Sequence, residues 1–229
     1  MAKHIGIVAC SAEGAALCYR TIAFEGARIM GSHDHPEITM HTHSLATYMN
    51  CVYRDDWQRV ADLILCSATK LQSTGAQFLI CPDNTIHQAM PFVRTSSPLP
   101  WLHIAEEVAR VARGRGFRRI GITGTKYLTE SEVYPEQLTS AGLEYVRPNA
   151  DEREEIDRII MNELVYGQFT PAAVVYFQKV ITRLKEQRCD AVVLGCTEIP
   201  LIMNDDNSPL PTLDSTRLLA RAALNFALA

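Results

Sequence analysis

Apolar residues along this chain keep two rhythms. Four short runs, Ile5–Val8, Phe78–Cys81, Arg119–Thr123 and Ala191–Leu194, are almost continuously apolar and rich in Ile and Val. Runs of that length and kind form strands covered on both faces. Pro36–His43 differs, placing Ile38, Met40 and Thr42 on one face, and reads as a further strand. Between the runs the apolar spacing widens to that of helices. Ala15–Phe24 is small and apolar along one side, and Val60, Leu63, Ile64 and Leu71 recur at helical spacing behind a capping Asp56. Further helices are predicted over Ile104–Arg113, Glu154–Val165 and Pro171–Gln187, and after Asp214. Gly75, Gly114 and Gly167 stop three of the helices, and Pro171 suits a first turn. Strands alternating with helices in this order predict α/β architecture with a mostly parallel sheet.

The pattern repeats. Ala191–Leu194 runs into Gly195-Cys196-Thr197, and Phe78–Cys81 runs into Pro82-Asp83-Asn84. The offset is 113 residues, from 83 to 196. His4-Ile-Gly-Ile-Val8 matches Arg119-Ile-Gly-Ile-Thr123 at 115 residues, from 4 to 119. Two matches at nearly one offset predict two similar halves, with Asp83 and Cys196 in equivalent places. Ser97-Pro-Leu-Pro100 is the expected crossing between them.

Composition narrows the function classes. Of 229 residues 47% are hydrophobic and 21% charged, as in an ordinary globular protein. A net charge of −4 leaves no footprint for nucleic acid. No run approaches the roughly 20 apolar residues of a membrane span. The opening Met1-Ala-Lys-His-Ile5 lacks a signal-peptide pattern. Seven cysteines without framework spacing fit reduced thiols, so a cytoplasmic protein is expected.

The chemistry should gather beyond the carboxyl ends of the strands, where ligands bind in open α/β sheets. Cys196 stands there, and a helix N-terminus nearby would lower a thiol from its free pKa of about 8.5. Asp83 is the mirrored group, able to handle a proton or merely to bond its own backbone in a turn. Asn84, Thr85 and Thr197 set amide and hydroxyl groups beside them, and Ser11 and Thr125 occupy matching loops after the first strand of each half. Such groups can hold a carboxylate, stabilise one as it becomes enolate-like, or simply cap helices. Cys10, Cys18, Cys51, Cys66, Cys81 and Cys189 lack that context. His33, His35, His41 and His43 have no Cys or carboxylate at familiar ligand spacing, so no metal is expected. His87 and His103 read as structural hydrogen-bonders. No glycine-rich phosphate loop follows a strand.

The chain resembles the aspartate/glutamate racemase superfamily, the cofactor-independent amino-acid racemases. The resemblance rests on the Ile5-Gly-Ile-Val8 start, Asn84-Thr85-Ile86-His87, Leu102-His103-Ile104-Ala105, Gly124-Thr125, Asp151-Glu-Arg153 with its following helix, and above all Gly195-Cys-Thr-Glu-Ile-Pro200. It implies two three-layer α/β domains about a pseudo-two-fold axis, 1–98 plus 210–229 and 99–209, with the site in the cleft. It also implies a homodimer, no cofactor, and two cysteines flanking the substrate Cα. Two positions depart from that pattern. Asp83 stands where the first catalytic cysteine or threonine is expected, and Ala9-Cys-Ser-Ala-Glu-Gly14 replaces a glycine-rich opening.

The expected function is racemisation or epimerisation of a small, acidic or other, amino acid by proton transfer at Cα, using Cys196 and Asp83. Ser11, Asn84, Thr85, Thr125 and Thr197 are the substrate-binding candidates. The alternatives are a decarboxylase or cis-trans isomerase of a small dicarboxylate, and an inactive carboxylate-binding protein. Arg54, Lys126, Arg147 and Arg153 are candidates for a distal carboxylate.

Overall fold

The computed structural model describes residues 1–229 as two compact units, Met1–Ile104 with Thr216–Ala229, and Ala105–Ser215. Each is built on one four-stranded parallel sheet.

In the first unit the sheet runs β2 (Ile38–Thr42), β1 (Ile5–Ala9), β3 (Phe78–Ile80) and β4 (Trp101–Leu102). The central strands β1 and β3 are fully buried, as their unbroken apolar runs require. Edge strand β2 is half-buried, with Met40 exposed. Helix α1 (Ala12–Met30) begins three residues earlier and ends six later than the periodicity suggests. Ser11 causes the early start, because its hydroxyl accepts from the Gly14 N–H and caps the helix. Helix α2 (Leu45–Val52) has no counterpart in the sequence reading. Helix α3 (Trp57–Ser73) starts at the expected Asp56 cap. A 3₁₀ turn (Thr85–Ala89) and α4 (Met90–Arg94) lead to β4. β4 pairs with β3, so the first unit continues through the Ser97–Pro100 segment that was expected to leave it. The core joins Ile5, Ile7, Phe78 and Ile80 to α1 and to Leu219, Ala223 and Leu224 of the last helix, α10 (Ser215–Leu228).

The second unit repeats this order: β6 (Glu144–Val146), β5 (Arg119–Thr123), β7 (Ala191–Leu194), β8 (Thr212–Asp214). Helix α5 (Ile104–Gly114) leads in, α6 (Lys126–Thr129) and α7 (Val133–Ser140) follow β5, and α8 (Ala150–Asn162) and α9 (Pro171–Glu186) precede β7. Helix α8 begins four residues before the expected Glu154, where Asn149 and Glu152 form a reciprocal capping box. Ile156, Ile160, Phe177, Ile181, Val192 and Leu194 centre the core.

The strand registers establish the repeat. Ile5 pairs with Phe78 and Ile7 with Ile80; Ile120 pairs with Ala191 and Ile122 with Val193. Matching the sheets therefore reproduces both sequence offsets, 115 residues from 5 to 120 and 113 from 80 to 193. Counting three residues past Ile80 and Val193 reaches Asp83 and Cys196.

Candidate active site

In each sheet the chain winds outward in opposite directions from two central strands, β1 and β3 in the first unit and β5 and β7 in the second. Their carboxyl ends flank the crevice where such sheets bind ligands. In the first unit Ser11 follows β1, and Asp83, Asn84 and Thr85 follow β3; in the second Thr125 follows β5, and Cys196 and Thr197 follow β7. Within each unit the candidates thus gather at the ends of two adjacent strands. The four basic candidates are engaged or peripheral. Lys126 pairs with Glu154, Arg147 with Glu132 and Arg153 with Glu130, while Arg54 is exposed after α2.

The end of β7 is built around a glycine. The Gly195 N–H donates to Thr123 O at 2.9 Å, and a Cβ at position 195 would lie 2.5 Å from that same oxygen. Only glycine permits this approach of β7 to the end of β5. The next residue, Cys196, is half-buried, and its thiol donates to Glu198 Oε2 at 2.9 Å. The Thr197 hydroxyl donates to the same oxygen at 2.8 Å, so its proton is turned to Glu198. Glu198 is 4% exposed and receives both bonds in a buried setting. A carboxylate there can take a proton from the thiol and return it. The sequence reading assigned Glu198 no role, although it stands within the Gly195–Pro200 motif.

Other cysteines contrast with this one. Burial, with Asp83 nearby, pushes the Cys81 thiol well up. Burial raises Cys189 to about 11. Both are inert thiols near neutral pH.

At the end of β3, Asp83 is half-buried and its Oδ1 accepts from the Ile86 N–H at 3.1 Å. It therefore caps the 3₁₀ turn, and that constrains the direction of the carboxylate. Asn84 is buried, and its carbonyl accepts from the His87 N–H. Tyr48 on α2, also unassigned from sequence, is fully buried, with the Ser67 hydroxyl beside its own. Burial first, then the neighbouring Cys81 and Cys10, keep that phenol protonated. Ser11 caps α1 as above, and the Thr125 hydroxyl caps α6 by accepting from Leu128 N–H at 3.3 Å. His41 is held between Ser67 Oγ and Lys70 Nζ, both at 2.9 Å. No helix is long and apolar enough to cross a membrane.

The family model for Asp/Glu/hydantoin racemases matches residues 7–223. The chain belongs to that family. This racemase-family chain is 24% identical over 177 residues to the broad-specificity amino-acid racemase RacX of Bacillus subtilis, covering 76% of itself and 75% of the relative. A crystal structure of a candidate Asp/Glu racemase from Yersinia pestis superposes with a TM-score of 0.91 at 30% identity, covering 99% and 100% of the two chains. An aspartate racemase homologue from Pyrococcus horikoshii gives 0.84 at 26%, covering all of both. The two parallel-sheet α/β domains are those of this family, and its members make the chain a racemase-like isomerase of amino acids that works without pyridoxal phosphate.

Proposed function

We propose that the protein racemises or epimerises a small amino acid, with acidic ones first among the candidates, and that Cys196 and Asp83 handle the two protons. One observation carries the reading: in two sheets of matching strand order, the residue three positions past the register-matched Ile80 and Val193 is a titratable group in each. One group is a thiol bonded to a buried carboxylate, and the other is a carboxylate held by a turn. Proton removal from one face of Cα and return to the other is the chemistry such a pair supports. Glu198 would accept the Cys196 proton as the thiolate forms, and donate it back. The electron pair left at Cα passes into the substrate carboxylate, where hydroxyl, amide and helix N-terminal N–H groups stabilise an enolate-like oxyanion. Asn84, Thr85, Ser11 and Thr125, with the N-terminus of α1, are the groups proposed for that work.

The names of the relatives support this substrate class: aspartate for the Pyrococcus horikoshii homologue, and a broad range for RacX. The family resemblance adds a homodimer and the unpaired cysteine spacing a cytoplasmic setting, testable by sedimentation and fractionation. The deciding experiment is NMR in heavy water of each enantiomer of aspartate, glutamate and a panel of neutral amino acids. Cα deuteration together with appearance of the opposite enantiomer is the expected result. No exchange in any of them would end this reading.

The Asp83 cap favours a second reading. A carboxylate committed to Ile86 leaves Cys196 as the sole acid/base, which suits decarboxylation of a small dicarboxylate. Release of carbon dioxide without racemisation would establish that instead.

A further inference from the structure

The turns that follow β3 and β7 close differently, and the difference leads to His87. In the second unit the Ile199 N–H donates to the Cys196 carbonyl at 3.2 Å. In the first unit the matching donor, Ile86 N–H, goes instead to the Asp83 side chain at 3.1 Å. The Asp83 carbonyl is thereby left to another donor. His87 supplies it, with Nδ1 2.6 Å from Asp83 O. The position matching His87 in the second unit is Pro200, which has no side-chain donor.

The other edge of the ring is equally committed. His87 Nε2 accepts from the Ile104 N–H at 3.3 Å, at the start of α5. A carbonyl on one side and an N–H on the other permit only the neutral tautomer with hydrogen on Nδ1. The ring of His103 stands edge-on at 4.5 Å and 82°, and both imidazoles are buried. Burial, with Arg94 adding to it, holds His87 down to about 4, so the tautomer persists at neutral pH.

We propose that His87 is a positioning residue for Asp83: its Nδ1–H holds the Asp83 main chain so that the Asp83 carboxylate meets the substrate Cα. The proposal rests on the racemase reading above. His87 touches no substrate; it replaces, by side chain, the main-chain bond that Asp83 gave up in using its carboxylate as a cap.

The test combines ring spectroscopy with three substitutions. Nitrogen-15 spectra of the imidazoles near pH 7 should show hydrogen on Nδ1 of His87; hydrogen on Nε2 would overturn the proposal. His87→Asn places an amide nitrogen where Nδ1 sits, His87→Gln reaches only to where Nε2 sits, and His87→Phe keeps bulk alone. Cα exchange of each enantiomer is then measured in folded protein. In His87→Gln and His87→Phe the Asp83-dependent enantiomer should lose about tenfold or more in kcat with little change in KM, since small misplacements of a reacting group are costly. The other enantiomer should stay within about threefold, and His87→Asn should recover most of the loss. Equal losses for both enantiomers, or no recovery in His87→Asn, would sink the proposal. If His87→Phe does not fold, the Asn and Gln variants decide the matter alone. Absence of exchange in the unmodified protein would sink the racemase reading itself, a different outcome from exchange that ignores His87.

Discussion

The Cys196 thiol lies 2.9 Å from Glu198 Oε2, and Thr197 donates to the same oxygen. A carboxylate so placed stabilises the protonated thiol and repels the thiolate. Its removal should separate thiol acidity from turnover. In Glu198→Gln the thiolate forms at lower pH, so alkylation by iodoacetamide at neutral pH becomes faster. Turnover nevertheless falls, because the proton has lost its acceptor; about 10²-fold is the scale for such a group. Slower alkylation in this variant would show that Glu198 does not interact with the thiol as described.

Cys196→Ser tests the thiol directly. The two side chains are close in size, so the fold should be retained while most turnover disappears, by about 10²- to 10⁴-fold. Circular dichroism checks the first half and Cα exchange the second. A variant within threefold of the parent would remove Cys196 from the mechanism.

The architecture was readable because its central strands are buried on both faces. Such strands cannot alternate polar with apolar, so Ile5–Val8 and Ala191–Leu194 stand out as unbroken runs. The same burial preserved the repeat well enough to align Asp83 with Cys196. Among the edge strands only β2 left a trace, in the alternation of Ile38, Met40 and Thr42. β6 is three residues with Glu144 and Tyr145 exposed, and β4 only two. β4 went unread because Pro100 looks like a break, although its carbonyl accepts from Leu79 N–H and begins the pairing. Glu198 was visible as a letter but not as a role, and His87 read as a structural hydrogen-bonder without its partners. The thiol meets the carboxylate two residues on only because a turn follows Gly195. His87 acquires its task only because Asp83 spends its side chain on Ile86.

Gly195 offers a stability test at the site's edge. A Cβ there would lie 2.5 Å from Thr123 O and 2.7 Å from Leu128 Cδ2. The leucine can turn aside, but the carbonyl is part of β5. Gly195→Ala should therefore cost about 1–3 kcal/mol, the usual range for overpacking. Urea unfolding would measure it, and a neutral result would mean that the end of β7 shifts freely.

Two buried histidines set an acid limit on the fold. Burial lowers His87 to about 4 and His103 to about 2, the latter with His87 and Arg94 contributing. Unfolded, each titrates near 6.5. Below that pH the unfolded chain binds protons that the folded chain refuses, so stability falls as pH falls. It is fully present above 6.5 and declines until the folded values are reached. Between pH 6.5 and 5 the loss is about 2 kcal/mol per histidine. His103→Leu should flatten that slope in urea titrations at the two pH values; an unchanged slope would place the acid sensitivity elsewhere.

The last test asks whether Asp83 moves a proton or only shapes its turn. Asp83→Asn is informative because the amide oxygen can still accept from Ile86 N–H, as Oδ1 does at 3.1 Å. The cap is kept and the titratable group is lost, so a defect cannot be blamed on the turn. If Asp83 serves one face of Cα, exchange from one enantiomer should fall about 10²-fold or more while the other is spared. Deuteration of each enantiomer measured separately by NMR gives the ratio. Equal losses would point to orientation of the substrate, and no loss would leave Cys196, with Glu198 behind it, as the only base. Asp83→Cys carries the reasoning one step further. A thiol there rebuilds the two-cysteine arrangement that the family resemblance implies, but it surrenders the side-chain cap. The Ile86 N–H would then turn to the residue 83 carbonyl, as Ile199 N–H does to Cys196, and compete with His87 for it. Exchange of aspartate or glutamate should rise in Asp83→Cys if the thiol still meets Cα, and no rise, measured by the same NMR deuteration, would show that loss of the cap misplaces it.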